Sequence, residues 1–248
     1  MRRVVVTLSA GALPGLAEAL AKDGITVLEC PLLRFEPPAD WGPLDRALAE
    51  LSRYRALALT SPRAAEAVAS RCRDLGVHRD GDRPVAWATG PATAAPLGDV
   101  FGAVRVPGAA ATRGVGAGLA LAEAMLAANI ESPVLYPGGD IRRDELTRRL
   151  TEAGIMVAEV VCYRSVLAPD TEARAAAARA DVLVVGSPRV AELLASVCPA
   201  GHRPRLLVLG PTTRTASRRL GWPPDAEAGH ATTVDVAKAL GALLRRAS

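Results

Sequence analysis

Short apolar runs alternate with amphipathic stretches along the chain. Runs with the length and the composition of buried strands are Val4–Leu8, Leu57–Thr60, Val85–Thr89, Val182–Gly186 and Leu206–Leu209. Each run is followed by a stretch with the spacing of a helix. Strands that alternate with helices in this way predict parallel, doubly wound α/β domains with short right-handed crossovers.

Part of this pattern is duplicated. Residues 4–34 align without a gap with residues 134–164. The identical pairs are Val4/Val134, Leu16/Leu146, Leu20/Leu150, Gly24/Gly154, Ile25/Ile155, Val27/Val157, Glu29/Glu159 and Arg34/Arg164. Each copy, called repeat a and repeat a′, predicts a strand, a loop, a helix that ends at a glycine, and a second strand.

A second duplication, repeats b and b′, lies between and after these copies. Three matches define it: S-P-R-A-A-E (61–66) with S-P-R-V-A-E (187–192), G-P-A-T (90–93) with G-P-T-T (210–213), and A-T (111–112) with A-T (231–232). The order is a, b, a′, b′, with predicted linkers over Cys30–Trp41 and Tyr163–Thr171. Two pairings are open: a with b and a′ with b′, or an exchanged pairing of a with b′ and b with a′.

Composition narrows the class of protein. With 248 residues, the chain forms one large domain or two small ones. Aromatic residues are only 3%, which disfavours a stacking surface for nucleic acid. No run approaches the roughly 18 apolar residues of a membrane span. Arginine supplies 28 of the 30 basic residues, and the net charge of +4 suits a small polyanionic ligand.

Neither a metal nor a cofactor is expected. The four cysteines and three histidines show no spacing typical of a metal site, so the cysteines are interpreted as core residues in a reducing cytosol. The glycine run 114–118 does not directly follow a strand, which argues against a dinucleotide loop. The apolar N-terminus could resemble a signal peptide, but its repetition in mid-chain indicates a strand and predicts a cytoplasmic protein.

The turns from strand to helix carry the candidate chemistry. Ser-Pro at 61–62 and 187–188, and Gly-Pro at 90–91 and 210–211, begin helices directly after strands. Pro137–Asp140 and Leu8–Gly11 are predicted to open the helices of the a repeats. Helix N-termini at the ends of parallel strands bind anions, and about six such turns would face one cleft. Because no catalytic triad, carboxylate pair or metal cluster can be assembled, an enzyme with this sequence would mainly orient its substrate.

Six segments in order resemble the uroporphyrinogen-III synthase family. They are L-T-S-P-R-A-A-E-A-V (59–68), T-G-P-A-T-A (89–94), Y-P-G-G-D-I-R-R-D-E-L (136–146), G-I-M-V-A-E-V-V-C-Y-R-S-V (154–166), V-G-S-P (185–188) and L-G-P-T-T (209–213). The resemblance implies the exchanged pairing, with two flavodoxin-like α/β domains joined by a two-stranded β-ladder. The implied domains are 1–34 with 169–248, and 38–163, and the implied ladder strands are Cys30–Pro37 and Val161–Ala168.

The resemblance also implies a reaction. The family closes hydroxymethylbilane, which carries four acetates and four propionates, into uroporphyrinogen III for tetrapyrrole (haem, sirohaem, cobalamin) biosynthesis. Loss of the terminal hydroxyl gives an azafulvene, and a spiro intermediate inverts ring D before closure. The bilane closes spontaneously to the unrotated isomer I, so the protein must control which carbon attacks. This requirement agrees with the missing acid–base set.

The resemblance assigns site residues one by one. Tyr163 is expected to assist departure of the hydroxyl, and its structural alternative is to anchor the linker strand. Thr213 is expected to bind a carboxylate or position the leaving group, and its structural alternative is a plain helix start. The expected substrate contacts are Ser61, Arg63, Gly90, Thr93, Gly138, Gly139, Arg142, Ser187, Arg189, Gly210 and Thr212. The implied partners are the polycarboxylate substrate and, transiently, the upstream bilane-forming enzyme. A monomer without nucleic-acid or membrane partners is expected.

One segment departs from the family pattern. V-G-S-P at 185–188 stands where relatives often carry an F-T-S-P-like run, so the turn lacks an aromatic ring and a hydroxyl. The competing hypothesis is a non-catalytic, two-domain anion-binding or sensory relative with a hinge.

Overall fold

The computed structural model describes residues 2–77, 83–108 and 116–245. It divides into two compact units: unit 1 is Met1–Arg34 with Val166–Ser248, and unit 2 is Phe35–Ser165. Repeats a and b′ therefore share unit 1, and repeats b and a′ share unit 2. The A-T match at 111–112 and residues 114–115 of the glycine run lie outside the described residues.

Unit 1 is built on a five-stranded sheet in the order β11-β10-β9-β1-β2. Its strands are β1 (Arg2–Val6), β2 (Ile25–Glu29), β9 (Val182–Val185), β10 (Arg205–Leu209) and β11 (Ala226–Ala228). Its helices are α1 (Leu16–Ala21), α8 (Asp170–Arg179), α9 (Pro188–Val197), α10 (Pro211–Arg219) and α11 (Thr233–Arg245), with a 3₁₀ turn at Ala200–His202. The four neighbouring pairs run parallel.

Alternation along these strands covers both faces of the sheet with helices. Val5 and Leu183 pack against α8 and α9, whereas Val4 and Val182 pack against α1 and α11. Because successive strand residues point to opposite faces, a run such as Val182–Val185 is buried throughout.

Unit 2 is built on a six-stranded sheet in the order β3-β8-β7-β4-β5-β6. Its strands are β3 (Leu33–Glu36), β4 (Ala56–Leu59), β5 (Val85–Ala88), β6 (Val104–Arg105), β7 (Val134–Gly139) and β8 (Val157–Leu167). Its helices are α2 (Gly42–Ala49), α3 (Pro62–Asp74), α4 (Pro91–Ala94), α5 (Gly98–Phe101), α6 (Ala117–Ala127) and α7 (Glu145–Glu152), with 3₁₀ turns at Leu51–Arg53 and Ala95–Leu97. One face packs on α2 and α3 and the other on α6 and α7.

The a repeats have the same structure in both units. Val4 pairs with Val27 in unit 1, and the equivalent Val134 pairs with Val157 in unit 2. The predicted helix ends also match, because the glycines at 24 and 154 have φ of 67° and 81°. Residues with a β-carbon rarely adopt this left-handed conformation, which explains a glycine at both positions.

Two neighbouring strands carry the chain between the units. β3 and β8 lie side by side in the sheet, and the chain crosses at 34–35 and again at 165–166. Arg164 on β8 bonds to residues at the end of β3 and directly after it, within unit 2. Its Nε donates to the Pro37 carbonyl at 3.1 Å, and its Nη2 lies 3.2 Å from Glu36. Two doubly wound α/β units joined by paired strands confirm the predicted fold class.

Two predicted helix starts are wrong. α1 begins at Leu16 rather than after Leu8–Gly11, and α7 begins at Glu145 rather than after Pro137–Asp140. Gly138 and Gly139 belong to β7, where they pair with Val161 and Tyr163 and are buried. Their backbone N–H groups are therefore not part of a helix N-terminus.

The helices found in the described residues are all too short or too polar to cross a membrane.

Candidate active site

A pocket of about 280 Å³ lies in unit 2 at the carboxyl ends of β4 and β7, beside Tyr163 in the interior of β8. In an open parallel sheet this edge is the usual place for a ligand, because the turns there expose polar groups. The pocket is lined by Thr60, Ser61, Ala117, Gly118, Tyr136, Gly139, Ile141, Arg142, Arg143, Glu145, Leu146 and Tyr163. The sequence had singled out four of these side chains or glycines: Ser61, Gly139, Arg142 and Tyr163.

A break in strand register directs Tyr163 to this pocket. Gly138 pairs with Val161, but Gly139 pairs with Tyr163, so Cys162 is an extra residue in β8. Val160 and Cys162 face the side of the sheet covered by α2 and α3, and strict alternation would send Tyr163 to the other side. Because of the bulge, Tyr163 packs on the same side as Cys162.

The phenol of Tyr163 is held by close neighbours. A β-carbon added to Gly139 would lie 2.7 Å from two carbons of the Tyr163 ring, so the ring rests directly on the β7 backbone. Ser61 Oγ donates to the Tyr163 hydroxyl at 3.4 Å. Ser61 itself caps α3 by accepting the Ala64 N–H at 3.2 Å. The Tyr163 oxygen therefore accepts one hydrogen bond, and its own proton can be donated to a ligand.

Arg63 stacks on a ring beside the pocket instead of lining it. Its guanidinium carbon lies 3.6 Å from the centroid of the Phe35 ring. The Phe35 and Tyr163 rings meet edge to face, with centroids 5.9 Å apart and planes 70° apart. The predicted substrate contact of Arg63 thus stays a prediction, while its contact with Phe35 is part of the fold.

Arg142 brings a positive charge to the floor of the pocket. Its Nη1 donates to the carbonyls of Tyr136 at 3.4 Å and Val160 at 3.5 Å, and its Nε lies 3.9 Å from Glu159. The guanidinium carbon lies 5.6 Å from the centroid of the Tyr136 ring. With the side chain only 17% exposed, Arg142 is fixed before a ligand arrives.

Tyr136 and Thr60 are pocket residues that the sequence analysis did not assign. The Tyr136 hydroxyl lies 3.0 Å from Thr60 Oγ1, and burial raises the pKa of this phenol above its ordinary value. Tyr136 therefore remains a neutral donor or acceptor at pH 7. A polar aromatic residue near the carboxyl end of a strand, followed by Pro137, was the available signal.

The rim of the pocket combines both signs of charge with an exposed apolar side chain. Arg143 Nη1 lies 3.9 Å from Glu145 Oε1, and Ile141 is 54% exposed. The carboxylate of Glu145 is packed against Gly116, at which an added β-carbon would be 2.5 Å from Oε2. The rim thus offers charges for polar substituents and an apolar surface for a ring.

The predicted residues of unit 1 form a separate group. Ser187 and Gly210 stand at the N-cap positions of α9 and α10. A shallow groove of about 420 Å³ runs beside these helix starts and is lined by Pro188, Glu192, Pro211, Thr212, Thr215, Ala216 and Arg219. Thr212 is exposed here, whereas Thr213 beneath it is fully buried, and among the described residues its Oγ1 has no hydrogen-bond partner.

The remaining predicted contacts line neither the pocket nor the groove. Gly90 begins the four-residue helix α4, and Thr93 is buried with its Oγ1 3.4 Å from that of Thr89. Arg189 lies half-buried on α9, and Gly138 is buried in β7 beside Arg142.

Burial makes the core cysteines poor nucleophiles. It raises the pKa of the Cys72 thiol to about 11 and that of Cys162 to about 12, and it also raises the pKa of Cys198. Within residues 2–77, 83–108 and 116–245, no group of three or more His, Cys, Asp or Glu side chains is arranged to hold a metal ion.

The chain combines two doubly wound units, paired crossing strands and a polar pocket at strand ends. These features define a class of two-domain α/β proteins with ligand sites at their sheet edges. Within this class, residues 15–237 match the model of the family described as Uroporphyrinogen-III synthase HemD. The chain belongs to this family, which confirms the resemblance found in its motifs.

One curated relative is similar to this chain in sequence, and two solved structures are similar to it in fold. The uroporphyrinogen-III synthase of Synechococcus elongatus is 30% identical over 176 residues, which make up 66% of this chain and 61% of that protein. The fold is similar to a mutant uroporphyrinogen III synthase of Thermus thermophilus (TM-score 0.63, 17% identity, 99% of this chain and 100% of that chain). It is also similar to the uroporphyrinogen-III synthetase of Helicobacter pylori (TM-score 0.60, 20% identity, 100% of this chain and 98% of that chain).

Proposed function

We propose that this protein is a uroporphyrinogen-III synthase, a lyase that converts hydroxymethylbilane to uroporphyrinogen III with loss of water and inversion of ring D. The family assignment supports this reaction. The observation that carries it is the phenol of Tyr163, which lies in a polar pocket at the strand ends and accepts a hydrogen bond from Ser61.

Tyr163 is proposed as the acid that assists departure of the hydroxyl. The C–O bond breaks with its electron pair on oxygen, and the phenol proton completes a water molecule. Ser61 stabilises the phenolate that develops, since its hydroxyl already donates to the same oxygen. Ring closure later releases one proton from a ring D carbon, which restores the phenol. The net change is the loss of one water molecule.

Carboxylate binding is assigned to groups in each unit. In unit 2, Arg142 is a fixed cation at the pocket floor and Ser61 stands at a helix start. In unit 1, Thr212 is exposed at the start of α10, and the buried hydroxyl of Thr213 has hydrogen-bonding capacity that no described residue uses. The other proposed contacts are Arg63, Gly90, Thr93, Gly138, Gly139, Ser187, Arg189 and Gly210.

We extend the proposal to the domain boundaries, the location of the protein and its partners. We assign residues 1–34 with 169–248 to one domain, residues 38–163 to the other, and residues 30–37 and 161–168 to the connecting strands. The protein is proposed to act as a cytoplasmic monomer that receives its short-lived substrate from the bilane-forming enzyme through a transient encounter.

The deciding experiment supplies freshly made hydroxymethylbilane to the purified protein and separates uroporphyrin isomers I and III after oxidation. The expected product is isomer III, which a protein-free control does not form. Tyr163→Phe is expected to reduce the rate about tenfold or more. The matched control is Tyr54→Phe, since Tyr54 packs in the unit 2 core outside the pocket.

Isomer I alone, from protein shown to be folded, would refute the synthase and leave the anion-binding relative. Isomer III with undiminished turnover by Tyr163→Phe would refute the role of the phenol but not the enzyme.

A further inference from the structure

The Phe35 ring connects an exposed arginine to the candidate acid. One face of the ring lies 3.6 Å from the guanidinium carbon of Arg63. The ring also meets Tyr163 edge to face, at 5.9 Å between centroids. The contact with Tyr163 is a preferred aromatic geometry, and the arginine contact orients the ring from outside.

We propose that Phe35, held by Arg63, is a positioning residue for Tyr163. This inference rests on the proposed function, because the exact position of the phenol matters for the rate only if Tyr163 takes part in the reaction.

Three contacts restrain the Tyr163 ring: the backbone of Gly139, the hydroxyl of Ser61 and the ring of Phe35. Gly139 blocks movement toward β7, and Ser61 holds the hydroxyl by a hydrogen bond at 3.4 Å, which is long for a hydroxyl pair. Without Phe35, the ring can rotate away from Ser61, since this weak bond alone does not fix it. The edge-to-face contact therefore supplies the restraint that keeps the phenol at Ser61.

The position of Phe35 in the chain adds to this argument. Phe35 is the first residue of unit 2 on β3, and Tyr163 lies on β8, two residues before the chain leaves that unit. The two rings are thus carried by the two neighbouring strands through which the chain enters and leaves unit 2. Any shift of β3 against β8 would be transmitted to the phenol through this contact.

The first test compares Phe35→Leu with Phe101→Leu. Phe101 is a matched control because it is the second of the two phenylalanines, lies in the same unit, and also has an arginine over its ring, Arg83 at 5.8 Å. Phe35→Leu is expected to lower kcat for isomer III about tenfold with KM unchanged, because a misplaced group loses rate rather than binding. Phe35→Tyr keeps the ring and is expected to retain most of the kcat. Phe101→Leu is expected to keep a kcat within about twofold of the parent.

The second test asks whether Phe35 acts through Tyr163. In a Tyr163→Phe background, adding Phe35→Leu should lower kcat by about twofold or less, since the phenol to be positioned is already gone. A full tenfold loss in that background would overturn the proposal.

A third readout needs no turnover. Nitration by tetranitromethane, mapped by mass spectrometry, should modify Tyr163 several-fold faster in Phe35→Leu than in the parent or in Phe101→Leu, with Tyr54 and Tyr136 as internal references. Unchanged nitration of Tyr163 would overturn the positioning role even if isomer III is formed. Faster nitration in a protein that forms no isomer III would instead uphold the contact and refute the proposed function.

Discussion

The contact between Gly139 and Tyr163 can be tested by adding a single methyl group. In Gly139→Ala the new β-carbon would lie 2.7 Å from ring carbons Cε2 and Cζ and 3.0 Å from the hydroxyl oxygen of Tyr163. Ordinary contact begins at 3.4 Å, so either the ring or β7 must move by about 0.7 Å. β7 lies between β8 and β4 and is paired with both, which makes movement of the ring the smaller change.

This displacement is large enough to measure. Moving the ring off Gly139 changes the position of the phenol relative to Ser61, whose Oγ lies 3.4 Å from the hydroxyl oxygen. Because a misplacement of about 1 Å can cost about 100-fold in rate, we expect Gly139→Ala to lower kcat for isomer III by about 10- to 100-fold. Overpacking should also destabilise the protein by about 1–3 kcal/mol.

The assay combines isomer analysis with urea unfolding, and Gly98→Ala is its control. Gly98 lies in the same unit at the start of α5 with ordinary helical dihedrals, and an added β-carbon meets nothing within 4 Å. That variant should keep its rate and gain up to about 1 kcal/mol, because alanine restricts the unfolded chain. If Gly139→Ala matches Gly98→Ala in both rate and stability, the placement of Tyr163 against β7 is refuted.

Three further predictions concern stability. Gly210→Ala should cost about 1–3 kcal/mol in urea unfolding, because φ of 79° with ψ of 167° is a conformation that essentially only glycine adopts. Gly90→Ala at the repeated position, where the backbone is extended, should be tolerated, and equal costs would contradict this explanation. Thr213→Val removes a buried hydroxyl that has no partner among the described residues. The variant should keep its stability or gain up to about 1 kcal/mol, and it should form isomer III more slowly. A clear loss of stability would indicate a partner for that hydroxyl. Burial raises the pKa of the thiols of Cys72 and Cys162 to about 11 and about 12, so the folded state keeps protons that the unfolded state loses above its pKa of about 9. Stability should therefore fall from pH 9 toward pH 11, and less steeply in the Cys72→Ala/Cys162→Ala variant; identical slopes would refute this.

Periodicity and repeats were sufficient to predict the fold class. The alternation of apolar runs located the strands, and the duplication in 4–34 and 134–164 reproduces itself as equal register in both sheets. Local pattern did not decide which repeats share a unit, because both pairings satisfy the same rules for parallel sheets. That choice depended on the resemblance to a family.

The candidate site was predictable only in part. Ser61 and Arg142 stand in motifs that sequence reasoning can recognise, but Gly138 and Gly139 have the local pattern of a turn although they are strand residues needed for close packing. The bulge at Cys162 has no local signal, because it depends on pairing between two strands. Without knowledge of this bulge, alternation alone places Tyr163 on the wrong side of the sheet, and its contact with Phe35 cannot be derived.

The exchanged pairing of the repeats has a consequence for biosynthesis. β1 and β2 leave the ribosome first, but Val4 pairs with Val182 on β9, so most of the chain must be made before the first sheet can be completed. Unit 2 occupies one continuous stretch, Phe35–Ser165, and can fold before β9 is available to pair with the N-terminal segment. During that interval β1 lacks its neighbour β9, so one edge of this strand is open to non-native pairing until residues 182–185 have been made.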